Sequence, residues 1–186
     1  MAEDTSTNLT LDDVMEEQDS FRLGVLGFAL IEDSMASGIA EAFEGTMPSE
    51  LKRVPFKARL ALFSAVTATP ERFVKPLLAL AKLRNDFAHG RLNNLTQHRA
   101  NSLADELRKP FPKSAQEILE GETPHELLAS CIWMCAAIVD ACRNSARKRR
   151  DKEQEAESRR GARRAASAAG HPPAVPRAAA RASQPA

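Results

Sequence analysis

At 186 residues, with a formal charge of +1 and 43% hydrophobic side chains, the chain is long enough for one well-buried domain and short for two. Its apolar content comes chiefly from Ala and Leu, Tyr is absent, and alternating Val/Ile/Thr runs are scarce, which favours helix over sheet. The near-neutral total hides a split: residues 1–142 carry 14 Lys/Arg against 21 Asp/Glu, and residues 143–186 carry 12 against 4, so an acidic body precedes a basic tail.

Residues 1–19 read as an acidic lead-in, with Thr10 placed to cap a short turn over LDDVMEEQ. From Phe21 to Phe43 the apolar positions Phe21, Val25, Phe28, Met35, Ile39 and Phe43 recur near a 3.6-residue period, predicting an amphipathic core helix despite Gly24, Gly27 and Gly38. EGTMPSELKRVP punctuates the chain, and a second helix is expected over about 55–65 with Phe56, Leu60 and Phe63 available for burial. Thr69-Pro70 reads as a cap and a first helical residue, opening a third helix that carries Phe73, Leu77, Leu80, Leu83 and Phe87. Pro76 is expected to kink this helix or mark its start, and Gly90 to stop it.

A fourth helix is expected over 97–109, ended by Pro110 and Pro112, with Ser114 as a cap for AQEILE. The last helix has the strongest opening: Thr123-Pro124-His125-Glu126 forms a capping box ahead of LLASCIWMCAAIVDAC. Beyond Cys142 the apolar stripe gives way to RNSARKRRDKEQEAESRRGARR, and from Gly161 onward a composition of Ala, Pro, Arg, Ser and Gly predicts disorder. The expectation is an all-α, four- or five-helix bundle over 20–145, followed by a basic helical extension and a largely disordered tail over 146–186.

The N-terminus has no apolar core of the secretory type, and about 18 uninterrupted apolar residues, enough for a membrane span, occur nowhere. Three cysteines at 131, 135 and 142 fit a reducing compartment better than a disulfide framework. The expected setting is the cytoplasm, away from a membrane. Cys131 and Cys135 are one turn apart, but a tetrahedral zinc site needs four ligands and His125 is out of register with them; core packing is the reading adopted, with no metal and no cofactor. Phosphate loops, HExxH and nucleophile elbows are absent.

The stretch LAKLRNDFAHG concentrates polar groups at the end of an apolar helix. On a regular helix Asn85 and His89 share a face, whereas Arg84 stands about 140° from His89. They converge only if the last turn unwinds at Gly90, if the Arg side chain reaches round, or if a second subunit supplies its copy. The combination suits phosphodiester cleavage without a metal. An imidazole takes a proton from an RNA 2′-hydroxyl or returns one to the leaving oxygen, a guanidinium holds the phosphate, and Asn85 orients either. The competing structural reading is a helix end satisfied by cations.

Arg84-Asn85-Asp86-Phe87-Ala88-His89 resembles the Arg-x(4–6)-His signature of the HEPN superfamily. The upstream FALIEDSMASGIAEAFEG, PFKARLALFSAV and PERFVKPLLALAKLRNDFAHG are similar in order to the mannitol operon repressor family. The resemblance covers roughly residues 20–90. It implies a helical bundle, frequently a homodimer, with Arg and His of both subunits lining a shared cleft. It further implies a metal-independent endoribonuclease of toxin or defence type, with catalytic Arg84, Asn85 and His89, an RNA substrate and an antitoxin or regulatory partner protein. The alternative it implies is a non-catalytic transcriptional regulator or interaction module. The basic run, above all Arg147, Lys148, Arg149 and Arg150, offers phosphate contacts with little sequence choice, or else is a solvated, charge-mixed helix.

Overall fold

The computed structural model describes residues 10–43, 53–92, 94–111, 113, 117–119 and 123–169, the side chains of 165–169 excepted. It divides into two compact units, 1–148 and 149–186. The first contains α1 (Leu11–Met15), α2 (Ser20–Ala42), α3 (Phe56–Thr67), α4 (Glu71–Ala88), α5 (Gln97–Arg108), a 3₁₀ turn (Glu117–Leu119) and the start of α6 (Pro124–Ala169). The second contains the remainder of α6. Among the described residues there is no strand, and the all-α bundle expected from periodicity is the fold.

Four helix starts carry a side-chain cap. Thr10 and Asp13 form a capping box at α1, and Asp19 accepts the Arg22 N–H at α2. Thr96 caps α5. At α6, Thr123 Oγ1 accepts from the Glu126 N–H at 3.2 Å, and Glu126 accepts from the Thr123 N–H at 3.0 Å. Thr69 behaves differently from the expectation: Pro70 is the flanking residue of α4 and has no side-chain cap. The Thr69 hydroxyl is engaged instead with Thr67 Oγ1 at 2.7 Å, and the buried Thr67 donates to the Phe63 carbonyl. Ala68 makes the turn between them in the left-handed region, at φ 51°. Helix α4 runs through Pro76, which lies buried within it.

The core gathers Leu23, Phe28, Ile31, Met35 and Ile39 of α2 with apolar residues of α3, α4, α5 and α6. The lead-in takes part, since Val14 is fully buried. Phe21 and Phe43, expected in the core, are 43% and 47% exposed. The α2 stripe facing the bundle is set by Leu23, Ile31 and three glycines. A Cβ at Gly27 would lie 2.6 Å from Ile132 Cγ2. One at Gly38 would lie 2.8 Å from Phe63 Cε2 and Arg143 Cγ, and one at Gly24 would lie 3.0 Å from Phe87 Cε2. These glycines, read from sequence as weak points, are where α3, α4 and α6 come against α2.

By length and composition, α2 and the apolar start of α6 could each cross a membrane. In this fold their apolar faces meet each other and the neighbouring helices. Arg143, grouped with the basic tail by composition, belongs to the bundle. It bonds Glu41 at 2.6 Å and Ser34 at 3.1 Å. Helix α6 continues past Gly161 to Ala169, where disorder was expected, because Ala and Arg are strong helix formers even without a core. The expected Ser114 cap and residues 170–186 lie outside the described residues.

Gly27→Ala should destabilise the protein by up to about 2 kcal/mol, since overpacking costs about 1–3 and the helix-propensity gain returns about 1. Gly161→Ala, where an added Cβ meets nothing within 4 Å, should keep only the propensity gain. Thermal unfolding followed by circular dichroism checks both. Equal melting shifts for the two would remove the close-approach account.

Candidate functional site

Helix α4 presents different chemistry on different sides because one residue advances the helix by about 100°. Leu77, Leu80, Leu83 and Phe87 are buried, and Phe87 also makes a T-shaped contact with Phe21, ring centroids 5.7 Å apart. Arg84 faces α2: its guanidinium lies 5.2 Å from the Phe28 ring centre, and Phe28 in turn packs on Phe56 of α3 at 4.8 Å. Arg84 Nη1 donates to Asn85 Oδ1 at 3.1 Å. The first two members of the predicted triad are therefore in contact.

The His89 ring forms no hydrogen bond with either. The helix stays regular to its end, the His89 N–H donating to the Asn85 carbonyl at 3.0 Å. Gly90, at φ +63°, then reverses the chain. The exposed His89 ring makes no hydrogen bond or ion pair among the described residues. Neither unwinding at Gly90 nor the reach of Arg84 unites the two side chains within one chain.

On the far side from Arg84, Asp86 ties the end of α4 to α5. Its carboxylate lies 3.9 Å from Arg91 and 3.9 Å from Arg99, and its carbonyl accepts the Arg91 N–H at 2.9 Å. A groove of about 260 Å³ runs from here between α4 and α5, bordered by Lys75, Lys82, Asp86, Arg99, Ser102 and Glu106 over a floor of Ala79, Leu83 and Leu103. The sequence reading missed these cations. Their signal was present, because Lys75, Lys82 and His89 recur every seventh residue and so share one side of the helix.

No family model, curated protein or solved structure matches the chain.

The basic set is divided. Arg147 and Lys148 are exposed at the close of the first unit, and Arg149 and Arg150 open the second. Within the second unit Lys152, Arg160 and Arg163 border a shallow surface together with Glu155, whose carboxylate holds Arg159 at 2.5 Å. His125 bonds Ser20 Oγ through Nδ1 at 2.9 Å, joining the starts of α2 and α6. A second groove, of about 310 Å³ and almost wholly apolar, lies among Phe73, Phe111, Ile118, Trp133 and Ile138, with Trp133 42% exposed.

Cys131, Cys135 and Cys142 are free and buried. Burial pushes the Cys131 thiol up to about 12 against a small opposing pull from Arg108, and raises Cys135 well above its ordinary value. Both are protonated packing groups near neutral pH. Because the folded values lie above those of the unfolded chain, the contribution to stability is full below about pH 9. It falls as pH climbs from there towards 12. Native protein at pH 8 should therefore leave a chromogenic disulfide reagent unreacted at Cys131 and Cys135, and denaturant should release both thiols. Rapid native labelling of either would contradict their burial.

Proposed function

We propose that the chain is a HEPN-like, metal-independent endoribonuclease of toxin or defence type, acting in the cytoplasm as a homodimer whose site combines Arg84 and Asn85 of one protomer with His89 of the other. The observation that carries this reading is the exposed His89 ring at the end of α4, which makes no hydrogen bond or ion pair among the described residues and stands on a different side of the helix from Arg84. His89 accepts the proton of an RNA 2′-hydroxyl. The freed oxygen attacks the adjacent phosphorus, the bond to the 5′-oxygen breaks as the 2′,3′-cyclic phosphate forms, and the leaving oxygen takes a proton from water. Arg84, held on Phe28, stabilises the charge that develops on the phosphoryl oxygens, and Asn85 keeps the guanidinium oriented.

Purified protein should cut single-stranded RNA in EDTA, and His89→Ala and Arg84→Ala should each lose about 10² or more in rate with folding retained. Asn85→Ala should be milder. Mixing the two inactive variants gives heterodimers with one intact composite site, so activity should return to about a quarter of the parent value for random pairing. No recovery in a mixture shown to exchange subunits would remove the shared site.

A second reading, a non-catalytic transcriptional regulator or interaction module with a regulatory partner protein, draws on the same contacts. Arg84 stacked on Phe28 and bonded to Asn85 also serves simply to join α4 to α2. On that reading Arg84→Ala lowers the melting temperature and RNA remains intact throughout.

A further inference from the structure

The groove between α4 and α5 carries cations left over from internal pairing among the described residues. Glu106, one of its two bordering carboxylates, is held by Lys109 at 2.5 Å. Asp86, the other, is shared by Arg91 and Arg99. Lys75 and Lys82 are exposed and form no ion pair or hydrogen bond among the described residues. After these pairings cations exceed carboxylates along the groove.

Two features narrow the ligand. Lys75 and Lys82 stand two turns apart, about 10 Å along the axis. One phosphate cannot satisfy both, whereas a chain carrying successive phosphates can. Between the lysines the floor is apolar, formed by Ala79, Leu83 and Leu103 with the Ser102 hydroxyl at its side, which suits the sugar face between phosphates better than a fully hydrated ion. The open, mixed surface provides point charges for phosphates and no aromatic platform for bases.

We propose that this groove is the track of a single-stranded nucleic-acid backbone, with Lys75, Lys82 and Arg99 contacting consecutive phosphates and delivering the strand to His89, which follows Lys82 by seven residues on the same side of α4. Asp86 sets the Arg99 guanidinium at the end of the track nearest His89. The proposal rests on the endoribonuclease reading for the meaning of that delivery. The binding itself is measurable without cleavage.

The test uses full-length protein carrying His89→Ala and a fluorescein-labelled oligouridylate, with anisotropy read over a series of salt concentrations. Each single-strand phosphate contact contributes about 0.7 to the slope of log affinity against log salt. Lys75→Gln with Lys82→Gln should therefore lower the slope by about 1.4 and weaken binding about tenfold near physiological salt. Glu106→Gln should strengthen it. Circular dichroism of each variant confirms that the bundle is retained. Unchanged slope and affinity in the double lysine variant, with loss confined to Arg159→Gln and Arg163→Gln, would overturn the track and leave the tail as the binder.

The two readings fail separately. Cleavage that needs His89 and ignores both lysines ends the track and keeps the endoribonuclease. Lysine-dependent binding with intact RNA in the parent protein keeps the track and ends the endoribonuclease.

Discussion

Helix α2 carries no Cβ at the three positions where other helices press closest upon it, and the arrangement of the bundle follows from that. Phe87 of α4 sits at Gly24, Ile132 of α6 at Gly27, and Phe63 of α3 with the Arg143 stem at Gly38. Each glycine in a helix interior costs about 0.5–1 kcal/mol relative to Ala, whereas burying a Phe or Ile side chain is worth about 1.5–3 kcal/mol. Packing therefore outweighs local propensity at each crossing. Polar contacts then fix the register without driving the association: Ser34 bonds Asp140 at 2.9 Å, and Arg59 pairs with Glu32.

The same constraint determines what α4 can offer. With Phe87 seated at Gly24 and Leu80 and Leu83 buried, the rotation of α4 about its axis is fixed. Turning it by one residue, about 100°, would drive a charged side chain into the core, at a cost of several kcal/mol. Arg84 must then face α2, where the Phe28 ring receives it, and Lys75, Lys82 and Asp86 must face α5. The separation of Arg84 from His89 is thus a consequence of core packing.

Helix identity was legible in the sequence wherever side-chain period and capping chemistry agreed, as at Thr123 to Glu126 and at Gly90, because both signals are local. Burial was less so. Phe21 and Phe43 satisfy the helical period but lie at the ends of α2, where the bundle no longer covers them, and period alone carries no information on where neighbouring helices stop. The glycines were misread for a related reason: their value lies in contacts with residues about 25 to 105 positions away, such as Phe63, Phe87 and Ile132. At the candidate site, the motif Arg84 to His89 stood out as a short string, while the charges opposite α5 were hidden by being spread over two helices. Lys75 and Lys82 gain meaning only once Arg99 and Ser102 are seen across the groove.

The acidic body, with 14 Lys/Arg against 21 Asp/Glu over residues 1–142, counts against a nucleic-acid ligand only if its carboxylates act at a distance. Many are committed locally. Asp13 is drawn below its ordinary value by hydrogen bonds to Thr10, Asp19 and Glu126 cap helices, and Glu32 and Glu41 neutralise Arg59 and Arg143. Those remaining are screened over about 8–10 Å at physiological ionic strength. A phosphate in the α4–α5 groove responds mainly to charges nearer than that, and there the lysines lack carboxylate partners. Local pairing, more than the net charge of the chain, decides whether such a surface attracts a polyanion.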